Sequence, residues 1–181
     1  MKKLIAIACL ASTVSLTAGT AMADNIKGKL GVTARVGFVV PAANGSDPGL
    51  VGGGGLIYGI TDNIAGDMEI THSSFGSDRG DFGITDFSLG GQYRFALTDR
   101  QLVPYVGAGF DILVNDNEYH DVDTTVGAHV KAGVDYFLQK QLALTAEAKV
   151  VAGPKANISG RSDHFDPTNF SGTVGIRYFF N

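Results

Sequence analysis

The residues that could do chemistry in this sequence are charged side chains that recur at alternate positions within apolar segments. Residues 84–114 show this spacing most clearly, because Asp86 and Arg94 alternate with Leu89 and Tyr93. Successive side chains of a β-strand point to opposite faces, so the charged groups share one face and the apolar groups share the other. Carboxylates and guanidinium groups on one face could form ion pairs, line an ion path or bind a small ligand.

The same alternation along the rest of the chain collects twelve ionisable residues on the inward faces of its strands. They are Arg35, Asp67, Glu69, Asp86, Arg94, Asp111, His129, Lys131, Asp135, Glu147, Lys149 and Arg177. An interior built from eight strands is wide enough only for side chains or for one small ligand. Charges buried there must be paired and hydrogen-bonded. The sequence therefore favours a structural charge network in the lumen, with an ion path or a binding site as the alternative.

Three other motifs are weaker candidates for chemistry. His72 and Ser74 fall on one face of a strand and could act as base and nucleophile, but no acidic residue on that face completes a triad. The tripeptide Arg79-Gly80-Asp81 matches an adhesive motif and lies in a predicted loop. The acidic segment 115–123 could bind a divalent cation, although a solvated loop is the simpler interpretation. We therefore predict no catalytic site, no metal site and no cofactor.

The elements that must position these groups are eight predicted β-strands. Their ranges are 28–39, 50–60, 64–75, 85–97, 102–114, 124–138, 141–151 and 170–180. All are much longer than strands of soluble sheets, which usually have about 5–6 residues. Short turns, such as that at 61–63, alternate with longer loops, such as those at 40–49 and 153–168. This pattern is typical of an up-and-down barrel in an outer membrane.

The first 23 residues have the features of a secretory signal peptide. Lys2 and Lys3 precede an apolar stretch, and Ala21-Met22-Ala23 forms a small-x-small cleavage site, which leaves residues 24–181 as the predicted barrel domain. Without the two lysines, 12 basic residues remain against 18 acidic ones. A net charge of about −6 argues against nucleic acid as a partner. The single cysteine, Cys9, falls in the signal peptide, so no disulfide is predicted in the mature chain.

The apolar faces of the strands are predicted to contact lipid. Turning the charged faces outward would cost about 2–4 kcal/mol for each Arg or Lys near the middle of the bilayer. Aromatic residues end alternate strands just before a turn and should form a girdle at one membrane interface. The girdle residues are Tyr58, Tyr93, Phe95, Tyr136, Tyr178 and Phe180. The alternative is a soluble eight-stranded barrel or sandwich that buries these aromatic residues in its core.

Several motifs resemble the OmpW family of small outer-membrane barrels. They are TDNIA at 61–65, PYVGAG at 104–109 and AGVDYFL at 132–138, together with the aromatic C-terminal strand. The resemblance covers most of residues 50–180. It implies an eight-stranded barrel in a Gram-negative outer membrane and a role in the passage or binding of small hydrophobic compounds. The chain departs from the family pattern at its end, where Asn181 follows Phe180.

The expected fold is an all-β, eight-stranded antiparallel transmembrane β-barrel, monomeric, with both termini in the periplasm. The expected partners are the lipid bilayer, lipopolysaccharide and the outer-membrane assembly machinery. Two functions compete. One is a narrow conduit or binding protein for small hydrophobic molecules. The other is a structural or surface-interaction barrel, adhesin-like or antigen-like, whose filled lumen supports extracellular loops.

Position along the strands also predicts how the charges are layered. The residues counted as nearest the periplasmic turns should pair in one layer that closes this mouth of the barrel. This layer comprises Asp67, Glu69, Arg94, Asp135 and Arg177, with Arg35, Lys131, Glu147 and Lys149 above it. The physical reason is that an unpaired ion in so confined a space costs several kcal/mol, by the order of magnitude known for buried ions.

Overall fold

Eight long β-strands dominate the computed structural model, which describes residues 26–42, 47–75, 82–95, 101–117, 120–121, 124–154, 156–157 and 164–180. The strands are β1 (Leu30–Pro41), β2 (Gly49–Gly59), β3 (Ile64–Phe75), β4 (Phe82–Arg94), β5 (Leu102–Asn117), β6 (Thr125–Phe137), β7 (Leu142–Ala152) and β8 (Asn169–Phe179). Each matches a predicted strand to within three residues at either end. The longer connections also contain the two-residue strands His120–Asp121, Ala156–Asn157 and His164–Phe165.

Backbone pairing closes the eight strands into a barrel. Each strand runs antiparallel to the next one in sequence. The last strand, β8, pairs with β1 from Gly31–Phe179 to Pro41–Asn169. A closed barrel has no unpaired strand edge, which is required where lipid cannot form hydrogen bonds with the backbone. The predicted fold, an eight-stranded antiparallel barrel, is confirmed.

No α-helix long and apolar enough to span a bilayer occurs in the described part of the chain. We call the end of the barrel with the connections 60–63, 95–101 and 138–141 the turn end. We call the opposite end, with the connections 42–48, 76–81, 118–124 and 153–168, the loop end. Both ends of the chain leave the barrel at the turn end, because β1 starts there and β8 finishes there.

Among the strand boundaries that differ from the predicted ones, two have a clear local reason. The first strand begins at Leu30 rather than at residue 28, because Gly28 has a φ of 75° and donates its N–H to the carbonyl oxygen of Gly59 in a turn. The fifth strand continues to Asn117, although residues 115–117 were predicted to be loop. Asn115 and Asn117 pair with Ile84 and Phe82. The pairing of β4 with β5 therefore continues beyond Val114, where the apolar alternation ends and where the strand was predicted to end.

The two faces of the strands give the barrel an apolar outer wall and a polar interior. Leu50 and Phe110, whose side chains point outward, are 71% and 72% exposed. Asp135 and Arg177, whose side chains point inward, are 0% and 1% exposed. This distribution is the reverse of that in a soluble protein. Because only a bilayer can remove such an outer wall from water, the soluble barrel or sandwich is excluded.

The six predicted girdle residues all lie on the outer wall toward the turn end, and all are exposed there. Two pairs of neighbouring rings pack edge to face, Tyr93 with Phe95 at 5.1 Å and Tyr178 with Phe180 at 5.3 Å between ring centres. Their position at a membrane interface stays a prediction.

Close contact between β1 and β8 makes Gly37 a test of barrel closure. A Cβ at Gly37 would lie only 2.0 Å from the carbonyl oxygen of Gly172, which is backbone and cannot move aside locally. Gly37→Ala should therefore lower the free energy of unfolding by about 1–3 kcal/mol, the usual cost of overpacking. The measurement is the urea midpoint of the barrel refolded in lipid vesicles.

Gly52→Ala is the matched control, because a Cβ there would meet its nearest neighbour, the carbonyl oxygen of Arg35, at 3.8 Å. Its urea midpoint should stay at the wild-type value or rise. Equal midpoints for the two variants would contradict the register between β1 and β8.

Candidate functional site

Three groups of charged side chains fill the lumen, and the group nearest the turn end is built on Asp135. Its Oδ2 accepts hydrogen bonds from Arg94 Nη2 at 2.7 Å and from Arg177 Nη1 at 2.6 Å. Arg177 also donates from Nε to Thr33 Oγ1 at 3.0 Å. Because these side chains are buried, one carboxylate binds two guanidinium groups almost without water.

The middle group links side chains from four strands. Arg35 donates from Nη2 to Glu69 Oε1 at 2.8 Å and from Nη1 to Glu147 Oε1. Lys131 Nζ lies 2.6 Å from Asp67 Oδ1 and 3.4 Å from Glu69 Oε1. Glu69 is thus shared by two cations, and the five residues form one connected network.

The group nearest the loop end is centred on Lys149. Its Nζ lies 2.7 Å from Asp86 Oδ2, 3.0 Å from Asp111 Oδ1 and 2.6 Å from Ser88 Oγ. His129 Nδ1 contacts the same Asp111 carboxylate at 2.9 Å. Each of these acidic groups therefore has a partner capable of donating a hydrogen bond.

Tyr105 connects the group at the turn end to the middle group. Its hydroxyl donates to Glu147 Oε2 at 2.9 Å and lies 3.2 Å from Thr145 Oγ1. The guanidinium carbons of Arg177 and Arg94 lie over its ring at 5.4 and 5.8 Å from the ring centre. The ring thus provides a cation–π surface for both arginines and a hydrogen bond for a carboxylate of the next group.

Glycine at two inward positions leaves room for these long side chains. A Cβ at Gly133 would lie 2.5 Å from the Tyr105 hydroxyl, so the tyrosine can cross β6 only because Gly133 has no side chain. A Cβ at Gly109 would lie 2.7 Å from His129 Cε1. Side chains from one strand therefore reach partners beyond the neighbouring strand.

Buried apolar side chains lie at both ends of this charged region. At the turn end, one buried cluster consists of Ile26, Ile57, Ala65, Phe137, Ala143 and Phe179. The rings of Phe137 and Phe179 stack there with 6.0 Å between their centres. Toward the loop end, buried apolar residues on five strands are Val39, Val51, Ile84, Leu113 and Val151. We call these two sets the turn-end and loop-end apolar layers.

The space between the middle group and the loop-end apolar layer is small. A cavity of about 20 Å³ there is bordered by Arg35, Glu69 and Lys149, and by Val39 and Ile84 of the loop-end layer. Because a single water molecule needs about 10–15 Å³ by this kind of measure, the cavity holds little more than one water. The described side chains leave it far too small for an organic ligand.

All twelve ionisable residues singled out in the sequence lie inside the barrel, none more than 7% exposed. The predicted single layer at the periplasmic mouth is nevertheless wrong. Asp67 and Glu69 bind Lys131 and Arg35 in the middle group instead of joining Arg94, and the turn-end apolar layer lies nearest the mouth. The reason is that strands tilt and stagger in a barrel, so residues equally far from their turns do not share a level.

The sequence analysis gave no role to two buried polar residues of the lumen, Tyr105 and Gln92. By the alternation along its strand Tyr105 falls on the same inward face as Asp111, but it was given no role, because aromatic residues in such strands usually mark the membrane interface. The signal available in the sequence was the presence of inward glycines such as Gly133, which leave room for a large side chain from another strand. Gln92 falls on the inward face by the same alternation and was likewise given no role. It is 3% exposed, and its side-chain amide has no hydrogen-bond partner within the described residues.

The weaker candidate motifs fall on the outer wall or outside the described side chains. His72 is exposed on the outer wall and its Nδ1 lies 3.0 Å from Thr85 Oγ1, while Ser73 points inward. The Arg79-Gly80-Asp81 tripeptide lies outside the described residues, as do the side chains of the acidic segment from residue 116 onward. No cluster of three His, Cys, Asp or Glu residues suited to a metal ion occurs among the residues that could be searched.

A closed barrel with an apolar outer wall and a charged lumen defines a class, the small outer-membrane barrels. Residues 6–179 match the outer membrane protein beta-barrel domain, and the chain belongs to this family. Membership and fold place the protein in the bilayer of a Gram-negative outer membrane. A comparison with curated proteins gives no match.

Several solved structures are similar to this chain. Neisserial surface protein A has a TM-score of 0.66 and 17% identity, with 84% of this chain and 96% of that chain covered. OprG from Pseudomonas aeruginosa has a TM-score of 0.63 and 14% identity, with 88% and 99% covered. Ail, the attachment invasion locus protein of Yersinia pestis, has a TM-score of 0.52 and 13% identity, with 85% and 99% covered. At these identities the similarity shows the fold alone.

Removing Arg177 tests whether the group at the turn end is buried and dry. Arg177→Ala leaves Asp135 with one guanidinium partner in place of two. It should therefore lower the free energy of unfolding by about 3–5 kcal/mol, the usual cost of breaking a buried pair. The measurement is again the urea midpoint in vesicles. Asp135→Ala should cost less free energy of unfolding when it is added to Arg177→Ala than when it is made in the wild type. Losses that simply add in the double variant would contradict the pairing of Asp135 with Arg177.

The hydroxyl of Tyr105 gives a second, smaller test. Tyr105→Phe keeps the ring under the arginines but leaves Glu147 Oε2 without this donor. We expect a loss of about 1–3 kcal/mol in the free energy of unfolding, as for other buried hydrogen bonds to charged groups. Tyr58→Phe, which changes an exposed ring on the outer wall, should have little effect. A similar urea midpoint for both variants would show that the Tyr105 hydroxyl is solvated.

Proposed function

We propose that this protein is a closed-lumen barrel whose function lies in the loops that it holds at the cell surface. The observation that supports this proposal most is the filled interior. Three charge groups occupy the lumen between two apolar layers, and the cavity bordered by two of these groups has a volume of about 20 Å³. The described side chains leave no route for a solute through the lumen, whereas a rigid barrel is a good support for surface loops.

The connections agree with this role. The four at the loop end include the longest one in the chain, residues 153–168. With both termini in the periplasm, the loop end faces the outside of the cell. The same proposal includes removal of residues 1–23 as a signal peptide, insertion by the outer-membrane assembly machinery and a monomeric state.

A second candidate is the binding of small hydrophobic molecules, which the resemblance to the OmpW family implies. The described residues leave no space for them in the lumen, but an open apolar groove of about 690 Å³ runs along the outer wall across β6, β7, β8 and β1. Its walls include Val134, Leu144, Ala146 and Ile176. A hydrophobic molecule that dissolves in the outer leaflet would enter this groove from the lipid.

Electrical recording separates a closed lumen from a conduit. Wild-type barrel inserted into planar bilayers should show no stepwise conductance, because the paired charges and apolar layers exclude a water column. A large porin inserted into the same bilayers serves as the positive control. Regular unitary steps from the wild-type barrel would contradict the proposal.

Shortening a loop tests the display function itself. Cells that express the barrel should adhere to immobilised extracellular-matrix proteins more than cells without it. Replacement of residues 155–163 by a short Gly-Ser linker should reduce this adhesion and leave the urea midpoint unchanged. Adhesion that does not depend on the barrel or on this loop would argue against the surface role.

Filling the groove tests the second candidate. Ala146→Phe should weaken binding of an apolar fluorescent probe to the barrel in detergent, because the new ring occupies the groove. Ala108→Phe, on the outer wall of β5, is the matched control and should bind the probe like the wild type. Equal binding by both variants would exclude the groove as a ligand site.

A further inference from the structure

Three polar side chains interrupt the apolar outer wall of the barrel. His72 and Ser74 lie on β3, and Thr85 lies opposite His72 on β4. At the other outward strand positions with described side chains, the residues are apolar, glycine or tyrosine. A polar group that faces lipid costs free energy unless it is hydrogen-bonded, so we expect this cluster to bind a hydrogen-bonding partner outside the barrel wall.

The geometry of the cluster leaves donors directed away from the barrel. His72 Nδ1 lies 3.0 Å from Thr85 Oγ1, so this ring nitrogen is already engaged. Nε2 remains for a group outside the wall. Ser74 follows two residues later on the same exposed face of β3.

The depth of the cluster in the bilayer follows from the strand length. Ile64, which pairs with the girdle residue Tyr93, marks the turn-end interface. His72 lies eight residues farther along β3. At about 3.3 Å per residue and a tilt of about 40°, this is about 20 Å above that interface, within an apolar band of about 25 Å. Ser74 then lies at the upper edge of the band, where the outer-leaflet headgroups begin.

We propose that His72 and Ser74, with Thr85 orienting the imidazole, bind the phosphate-bearing headgroup of an outer-leaflet glycolipid. A phosphate group offers acceptor oxygens, which match the Ser74 hydroxyl and the Nε2–H that His72 presents when its Nδ1 accepts the hydrogen bond from Thr85. Ser74 lies at the headgroup edge of the apolar band, with His72 and Thr85 just below it in the band, and the exposed apolar side chains of Leu50, Ile70 and Phe87 beside and below them offer a surface to the acyl chains. On β1 and β8, which pair with each other elsewhere in the barrel, the corresponding end of the wall carries Phe38 and Phe170 instead, with 6.2 Å between ring centres.

Lipid titration followed by native mass spectrometry tests this site. The folded barrel in detergent is titrated with diphosphoryl lipid A and, separately, with the same lipid after removal of its phosphates. The wild type should bind the phosphorylated form about tenfold more tightly, the factor expected from one hydrogen bond to a charged group. His72→Phe, which places an aromatic ring common at such interfaces, should remove this preference.

Two further variants keep the test independent of folding defects. Thr85→Val has nearly the same shape as the wild type and should reduce the preference for the phosphorylated lipid. Ile70→Phe, two positions deeper on the same face, should keep the full preference. Equal affinity of the wild type for both lipids, or an unchanged preference in His72→Phe, would overturn the proposal. Competition by excess inorganic phosphate would also overturn it, because the site would then bind free phosphate rather than a lipid.

Discussion

A carboxylate moved from water into the lumen of this barrel loses its hydration, and only a donor or cation held against it recovers most of that free energy. Asp135 shows the constraint in its simplest form, because this fully buried acid binds both Arg94 and Arg177. The requirement repeats at Glu69 and Asp111, each of which also contacts two partners. The bilayer adds the same demand for the backbone, which the closed ladder from β1 to β8 satisfies. The paired charges inside and the closed ladder outside therefore answer the same requirement, which is that polar groups removed from water must find partners within the protein.

Pairing across the lumen depends on side chains that reach over a neighbouring strand. Tyr105 reaches Glu147 on β7 from β5 by crossing Gly133 on β6. Lys131 on β6 likewise reaches Asp67 on β3. The glycines of this sequence thus make room for the long residues and allow one network to tie distant strands together. The described charge groups and the apolar layers above and below them fill the lumen of the barrel. We therefore favour a surface role over a conduit.

The alternation of apolar and polar residues was enough to predict the strands, their inward faces and the closed barrel. Arg94 and Arg177 could be assigned to the lumen because a period of two leaves no other face for them. The grouping of charges was not predictable in the same way. Asp67 and Glu69 pair with the middle group because the stagger between strands, which no single strand encodes, sets the level of each residue. The turn-end layer of Phe137 and Phe179 was missed for a related reason, since inward apolar residues at strand ends look like ordinary strand boundaries. The role of Tyr105 required knowledge of which glycine it crosses.

The central claim is that paired charges fill the lumen and exclude water, and the access of water to Ser88 tests it most directly. Ser88 is 3% exposed and lies 2.6 Å from Lys149 Nζ, in the group nearest the loop end. Because Cys9 is the single cysteine of the sequence and lies in the predicted signal peptide, a mature chain with Ser88→Cys would carry one thiol. The measurement is the rate at which a charged, water-soluble thiol reagent modifies Ser88→Cys in lipid vesicles, compared with Asp47→Cys at the exposed loop end. We predict rapid modification at position 47 and almost none at position 88. Similar rates at both positions would show a water-filled lumen and contradict the account.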